Sequence, residues 1–447
     1  MQSKPYTKFK PSGVEWLGDV PEHWEVKRLK NTANYWVSNV DKVPNESELP
    51  VRLCNYTDVY YNDFISSEMN LMETTATHDE IKKFHLIAGD VVITKDSEEW
   101  NDIAISSLVI KTAPNLVCGY HLAMIRPKKE MIVGQYLLRQ FQSSAINHQF
   151  QIAATGVTRY GLPKNAIGEA IIPLPPLSEQ HAIAAFLDHE TGHIDALIAK
   201  KKKLLSLLAE QRTALISRAV TKGLNPSVKL KPSGVEWLGD MPEHWENTRL
   251  RRIISLLRNG TPSTQFDEES GMLPVTRIET ISKGIIDFEK IGYVENFDRS
   301  HDYLLSKGDI LLSHINSLSM IGNAALYDDN RALYSGMNLL RISPSKNTNS
   351  KWLWYFIRND GFKKTLSSRA KPAINQASLT TNQIREMPII LPPLPEQQAI
   401  AAFLDRETAK IDTLSAKVLT AIERLKEYRT ALISAAVTGK IDVREAV

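Results

Sequence analysis

PPLSEQHAIAAFLDHETGHIDAL, residues 175–197, is written a second time as PPLPEQQAIAAFLDRETAKIDTL, residues 392–414, with 17 of 23 positions identical. Prolines stand just upstream of Ser178-Glu179-Gln180 and of Glu396-Gln397 at Pro395, a helix start with acid in its first turn. Few helix breakers follow over 178–220 and 395–437. Apolar residues recur every seven positions: Leu187, Ile194, Leu208 and Leu215, with Lys201 as the exception, then Leu404, Ile411, Val418, Leu425 and Leu432 without a break. Ile183, Leu197, Leu204, Ile400, Leu414 and Ile422 widen the stripe. Such a repeat, sustained over several turns, predicts a coiled-coil seam. Gly223, followed by Asn225-Pro226, and Gly439 mark the helix ends.

A second phrase is also duplicated. KFKPSGVEWLGDVPEHWE, residues 8–25, returns as KLKPSGVEWLGDMPEHWE, residues 229–246, differing only at Phe9/Leu230 and Val20/Met241. The two pairs of phrases are offset by 221 and 217 residues, and the segments between them have drifted far apart. A variable–constant–variable–constant order predicts two related modules on a shared scaffold. The first helix must carry the chain from one module to the next, and its near-copy leaves the second module by the equivalent route. The pair is therefore expected to run antiparallel, each helix spanning roughly 65 Å at 1.5 Å per residue. The expected class is α+β: two similar domains with small twisted sheets, separated by two long antiparallel helices in a pseudo-twofold coiled coil. The expected boundaries are 1–176, 177–222, 223–393 and 394–447.

The 447 residues, 43% hydrophobic and 23% charged, fit a soluble multidomain protein. No run of 18 apolar residues and no secretory signal is present, so a cytoplasmic protein without a membrane span is expected. Cys54 and Cys118, both in the first module, read as free thiols in a reducing compartment. The net charge of +3 is weak support for nucleic-acid binding, which must rest on local patches. These are Arg126, Lys128 and Lys129; Lys200 to Lys203; Arg249, Arg251, Arg252 and Arg258; and Arg358, Lys363, Lys364, Arg369 and Lys371. A run of charge is more often a solvated face than a binding site.

Within the modules, Gly89-Asp90 precedes Val91-Val92-Ile93 as Gly308-Asp309 precedes Ile310-Leu311-Leu312, a turn feeding a strand. Further strands are predicted at 103–110, 121–126, 167–172, 274–279, 322–327, 337–342 and 386–391, with helices near 132–147 and 351–367. After each Gly-Asp strand comes a polar loop, Lys95 to Asp102 and His314 to Ser319. A second divergent loop, Thr155 to Gly161 and Pro372 to Ser378, precedes each constant region. Arg pairs bidentately with guanine, and Asn or Gln with adenine. The candidate DNA-contacting residues are Lys95, Trp100, Asn101, Thr158, Arg159, Tyr160 and Lys164 in the first module. In the second they are His314, Asn316, Ser317, Lys371, Asn375, Gln376 and Ser378. Polar loops are equally common as connectors; matched placement with different side chains is what points to two different readers.

Off the seam, Asp188/Asp405, Glu190/Glu407, Thr191/Thr408 and Arg212/Arg429 are also identical pairs. Matched surface residues on two copies point to two identical partners, one per half, against the plainer reading of a hairpin that only joins domains. No dinucleotide fingerprint, P-loop, methyltransferase Asn/Asp-Pro-Pro-aromatic set or zinc-spaced His/Cys cluster stands out. Glu25-Val26-Lys27 resembles part of a nuclease motif, but its copy reads Glu246-Asn247-Thr248 and lacks the lysine. His23 and His244, among Trp16, Trp24, Trp237 and Trp245, read as an aromatic clasp rather than as acid–base groups. The expectation is a chain without catalysis, metal or cofactor of its own; a stand-alone enzyme and a protein-only adaptor are the alternatives.

These phrases, with RTALISRAVTKG and RTALISAAVTGK at the helix ends, strongly resemble the specificity subunit of type I restriction–modification systems, over essentially the whole chain. The resemblance implies two target-recognition domains, each reading half of an asymmetric two-part sequence in double-stranded DNA. It implies helices that act as a spacer ruler and dock two methyltransferase (modification) subunits, through residues such as Asp188, Glu190, Arg212, Asp405, Glu407 and Arg429. Up to two restriction (motor–nuclease) subunits complete the complex. S-adenosylmethionine, ATP and Mg would then belong to those partners, and the methyl group would go to adenine.

Overall fold

The computed structural model describes residues 5–267, 271–373 and 376–445. It divides into two compact units, one of residues 1–201 with 419–447 and one of residues 202–418. Each unit holds one module together with a stretch of both long helices, Leu177–Lys222 and Leu394–Val437.

In the first unit a five-stranded sheet runs in the order Ala33–Val37, Leu122–Pro127, Val91–Thr94, Ser106–Lys111, Phe64–Ser66, with only the last pair parallel. Alternation along its strands makes two cores. Val91, Ile93, Ala123 and Ile125 face Tyr136, Leu137 and Phe141 of the helix Gly134–Phe141, and Ile183 and Leu187 of the long helix. Val92, Leu122 and Met124 face the opposite way, onto Val51, Leu53 and Val117 of a three-stranded sheet. The second unit repeats the plan with four strands: Ile254–Asn259, Leu339–Pro344, Ile310–Ser313, Ala324–Leu326. Ile310, Leu312, Leu340 and Ile342 serve one core, and Leu311, Leu339 and Ala325 the other.

The Gly-Asp turns are built alike. Gly89 and Gly308 take φ of 99° and 96°, open to glycine at no steric cost. The aspartate then anchors the next strand but one: Arg126 Nη2 lies 2.7 Å from Asp90, and Arg341 Nε 2.8 Å from Asp309. Arg126, placed above in a basic patch, is thus committed to the fold.

The helix pairing is antiparallel within each unit. In the first, Ile183 and Leu187 share a core with Ile433, Ala436 and Val437, while Asp195 meets Arg429 at 3.2 Å. In the second, Ile216, Ala219 and Val220 share a core with Ile400 and Leu404, while Arg212 meets Asp412 at 3.1 Å. Leu187, Ile194, Leu208, Leu404, Ile411 and Val418 are buried as the heptad predicts. Ile183, Ile400 and Ile422 are buried and widen the seam as expected, whereas Leu197, Leu204 and Leu414 are exposed, with Ile198 rather than Leu197 turned inward. Positions three residues past the seam point outward here, and those four past it point in.

The predicted helices 132–147 and 351–367 are each two helices, Gly134–Phe141 with Ser144–Ala153 and Ser350–Ile357 with Asp360–Arg369. Ser143 and Asn359 break them with extended backbone, and the Asn359 side chain accepts from Gly361 N as an N-cap. The strand expected at 167–172 is a helix, Lys164–Glu169, followed by the strand Ile171–Leu174.

The PEHW motifs lock the start of each module to its long helix. Trp24 Nε1 donates to Glu179 at 2.9 Å and His23 Nε2 lies 2.7 Å away, with Tyr6 also bonded to that carboxylate. Trp245 and His244 hold Glu396 at 3.0 and 2.9 Å. Trp24, Trp245 and the two histidines form the clasp expected from sequence, whereas Trp16 is exposed and Trp237 packs on Phe356 and Phe362. Cys54 and Cys118 are buried free thiols, and burial pushes both well above the ordinary thiol range. Among the described residues no helix is long and apolar enough to cross a membrane.

Candidate nucleic-acid interface

The two divergent loops of each module, sixty residues apart in sequence, are brought side by side. In the first module, Asp96–Ser97 pairs antiparallel with Tyr160–Gly161. Thr155 and Gly161 exchange backbone hydrogen bonds at 3.0 and 2.8 Å, closing a hairpin whose tip is Gly156 to Arg159. Gly156 has φ 145°, and a Cβ there would collide with the Arg159 carbonyl oxygen. In the second module, Ile315–Asn316 pairs with Gln376–Ser378, which pairs in turn with Lys371–Ala373. The registers Gly161↔Asp96 and Ser378↔Ile315 put Arg159 and Gln376 at corresponding places.

The chemistry at that shared frame differs. Around the first loop pair, Asp96 accepts from Lys95 Nζ at 2.9 Å and contacts His121 Nδ1 at 2.6 Å. Burial alone would raise the Asp96 carboxyl, but the bonds and charges of His121 and Lys95 hold it below the usual range. Arg159 is exposed, its Nη2 3.4 Å from the His121 ring nitrogens. Tyr120 packs on His121 with ring centres 3.9 Å apart, and the Lys95 ammonium lies 5.6 Å from the Tyr120 ring. Tyr60 donates to Asp102 at 2.6 Å and stacks on Tyr56; that bond to Asp102, with burial, pushes its hydroxyl up to about 12. Trp100, Tyr61 and Tyr120 are exposed, so cations and flat aromatic faces share one loop cluster, the pairing that grips phosphates and stacks on bases.

Of the residues expected here, Trp100, Asn101, Thr158, Arg159 and Lys164 are exposed and Tyr160 is half-buried. Lys95 is turned inward onto Asp96. In the second module Ser317, Lys371, Gln376 and Ser378 are exposed. Asn316 uses its amide on Ser313 Oγ and on the Ser317 N–H, shaping its own loop. His314 is buried rather than presented, and burial pushes its protonation below the ordinary histidine range. Asn375 lies outside the described residues. Leu318 and Met337 are exposed beside these loops, so the second loop pair joins amide, hydroxyl and apolar groups to the Lys371 cation where the first joins cations to aromatic faces.

Tyr56, Tyr60, Tyr61, Tyr120 and His121 escaped the sequence reading. Gly119-Tyr120-His121-Leu122 and Gly336-Met337-Asn338-Leu339 stand at matched positions and were the available signal. The patch around Arg358 is not one surface either. Arg358 lies over the Trp354 ring at 4.6 Å, and burial, then the charge of Arg212, lowers its proton affinity.

Of the six residues expected to dock partners, four have roles inside the chain. Arg139 holds Asp188 at 2.6 Å, Lys351 and Tyr355 hold Asp405 at 2.8 and 3.0 Å, Arg429 joins Asp195 and Asp63, and Arg212 joins Asp412. Thr191 and Thr408 are buried and back-bond the helix at Leu187 and Leu404. Their duplication follows from folding two like units. Glu190/Glu407 and the exposed Leu197/Leu414 are not explained in that way.

The chain matches the family described as Type I restriction modification DNA specificity domain over residues 21–206 and 242–424, and it belongs to that family. It is 40% identical over 185 residues to the protein named as the MjaX type I restriction enzyme specificity subunit of Methanocaldococcus jannaschii, covering 40% of this chain and 43% of that one. With the MjaVIII specificity subunit of the same organism it shares 23% identity over 95% of this chain and 94% of the other. A chain from a structure of complex assembly and conformational transition in the type I R-M system shares its fold, with TM-score 0.71 at 18% identity, over 94% of this chain and 99% of that one. The two repeats are thus the two recognition domains of a type I specificity subunit.

Proposed function

We propose that each module reads one half of an asymmetric, two-part sequence in double-stranded DNA through its paired loops. The observation that carries this is the shared frame with unlike chemistry. Arg159 suits a bidentate contact to guanine, whereas Gln376, at the corresponding place, suits adenine. The unbroken helices Leu177–Lys222 and Leu394–Val437 set the number of base pairs between the half-sites.

The chain acts in the cytoplasm without chemistry of its own. It docks two methyltransferase subunits, one per half, and up to two restriction subunits. S-adenosylmethionine, ATP and Mg are bound by those partners, and adenine is the methylated base. The support is family membership together with Glu190/Glu407 and Leu197/Leu414, left exposed or half-exposed at matched positions. Filter binding of the chain plus its methyltransferase against random duplexes tests the reading: strong sequence preference at moderate salt is expected, and binding without preference contradicts it.

A further inference from the structure

His189-Glu190-Thr191-Gly192-His193 fills one turn of the first long helix, with the two imidazoles four residues apart on one face. Their ring centres are 4.2 Å apart, and His189 Nδ1 is 3.1 Å from Glu190 Oε1. One ligand atom from each of His189, Glu190 and His193 lies within 4.8 Å of the others. Both histidines are exposed, and a Cβ on Gly192 would meet nothing within 4 Å, so the space over the turn is open.

The matching turn of the second long helix is Arg406-Glu407-Thr408-Ala409-Lys410. There Glu407 accepts from Arg406 Nε at 2.8 Å and Lys410 Nζ at 3.0 Å, and those bonds hold its carboxyl below the usual range. The first helix keeps the glutamate and exchanges both permanent cations for histidines. Among the described residues, the one ion pair of Glu190 is with His189. The turn thus offers two imidazoles and a carboxylate where the second copy offers two permanent cations and a carboxylate.

We propose that His189, Glu190 and His193 bind a divalent transition metal of the zinc class. Two imidazoles and a carboxylate suit Zn²⁺, Co²⁺ or Ni²⁺ better than Mg²⁺ or Ca²⁺. Zn–N bonds of about 2.0–2.1 Å set two ring nitrogens roughly 3.3 Å apart in tetrahedral geometry, within reach of rotation by two surface side chains. The spacing is that of the helical His-Glu-x-x-His of zinc peptidases, which the sequence reading passed over. Here all three groups come from one exposed helix turn, with no enclosing cleft. The site is one of binding and not of hydrolysis, and its remaining coordination positions go to water or to a group from outside the chain. This inference does not depend on the docking reading.

Calorimetric titration of the full chain with Zn²⁺, and the visible spectrum of its Co²⁺ adduct, test the site. His189→Arg and His193→Lys install the residues of the second copy, and His193→Gln gives a neutral variant. Each should weaken Zn²⁺ binding at least about tenfold with helicity unchanged by circular dichroism, while His181→Gln, about two helical turns upstream, should leave it intact. Wild-type affinity in the His189 and His193 variants, or an equal loss in the His181 variant, would overturn the assignment.

Discussion

His121 and Asn338 hold the same place in the two modules, each with left-handed backbone, φ 72° and 68°, just before the strand that begins Leu122 or Leu339. A non-glycine residue there costs about 1–2 kcal/mol. In both modules that residue lies against the first loop of the pair: His121 contacts Asp96, and the Asn338 backbone favours the protonated form of His314 against the burial that disfavours it. Strain repeated at two equivalent sites beside two unlike loops is the local frame on which the proposed reading of DNA rests.

Arg159 stands exposed at the tip of its hairpin. Arg159→Ala should cost about 1–3 kcal/mol of binding and relax preference at one position of one half-site. Competition binding against single-base variants of the target reads this out. An equal loss on every duplex would show a phosphate contact instead.

Glu179 accepts from the buried Trp24 and from Tyr6, with its side chain only 4% exposed, whereas Glu396 is 28% exposed. Glu179→Ala leaves the Trp24 N–H without an acceptor and should destabilise its unit by about 1–3 kcal/mol. Glu396→Ala should cost less, because water reaches that site. Urea denaturation of both variants compares them; equal losses would contradict the difference in burial.

Gly439 ends the second long helix at φ 74°, and an added Cβ would collide with Pro21. Gly439→Ala should lower stability by at least about 1–2 kcal/mol. Gly192→Ala, mid-helix with open space around it, should raise stability by up to about 1 kcal/mol. Thermal melts with the same sign for both would refute this account of the two glycines.

The Asp96 carboxyl is held below its usual range in the folded chain, so the unfolded chain binds a proton there more readily. Its contribution is complete above the ordinary carboxylate range and is lost as pH falls through the depressed folded value. Urea midpoints followed from neutral to acid pH should fall more steeply for the wild type than for Asp96→Asn. Parallel curves would mean that Lys95 and His121 do not stabilise the ionised form.

The long helices, their ends at Gly223 and Gly439 and the PEHW clasp were legible because each rests on local pattern: a seven-residue period, a left-handed cap, a buried tryptophan. Register was harder. The rows of Leu197 and Ile198 are both apolar, and only packing decides which turns inward. The loop frame was legible as position, since Lys95 to Asp102 and Thr155 to Gly161 recur in the second copy. Which side chains emerge from it was not. Lys95 is drawn in by Asp96 and His314 is buried between two strands, while Tyr60, Tyr120 and His121 arrive from elements distant in sequence.

Mapping methylated adenines in the genome of cells carrying this chain and its methyltransferase tests the central claim most directly. The account predicts one asymmetric sequence in two parts, separated by a fixed run of unspecified bases, with Arg159→Ala loosening one part alone. A single unbroken or palindromic motif, or both parts loosened together, would contradict two modules that read separately.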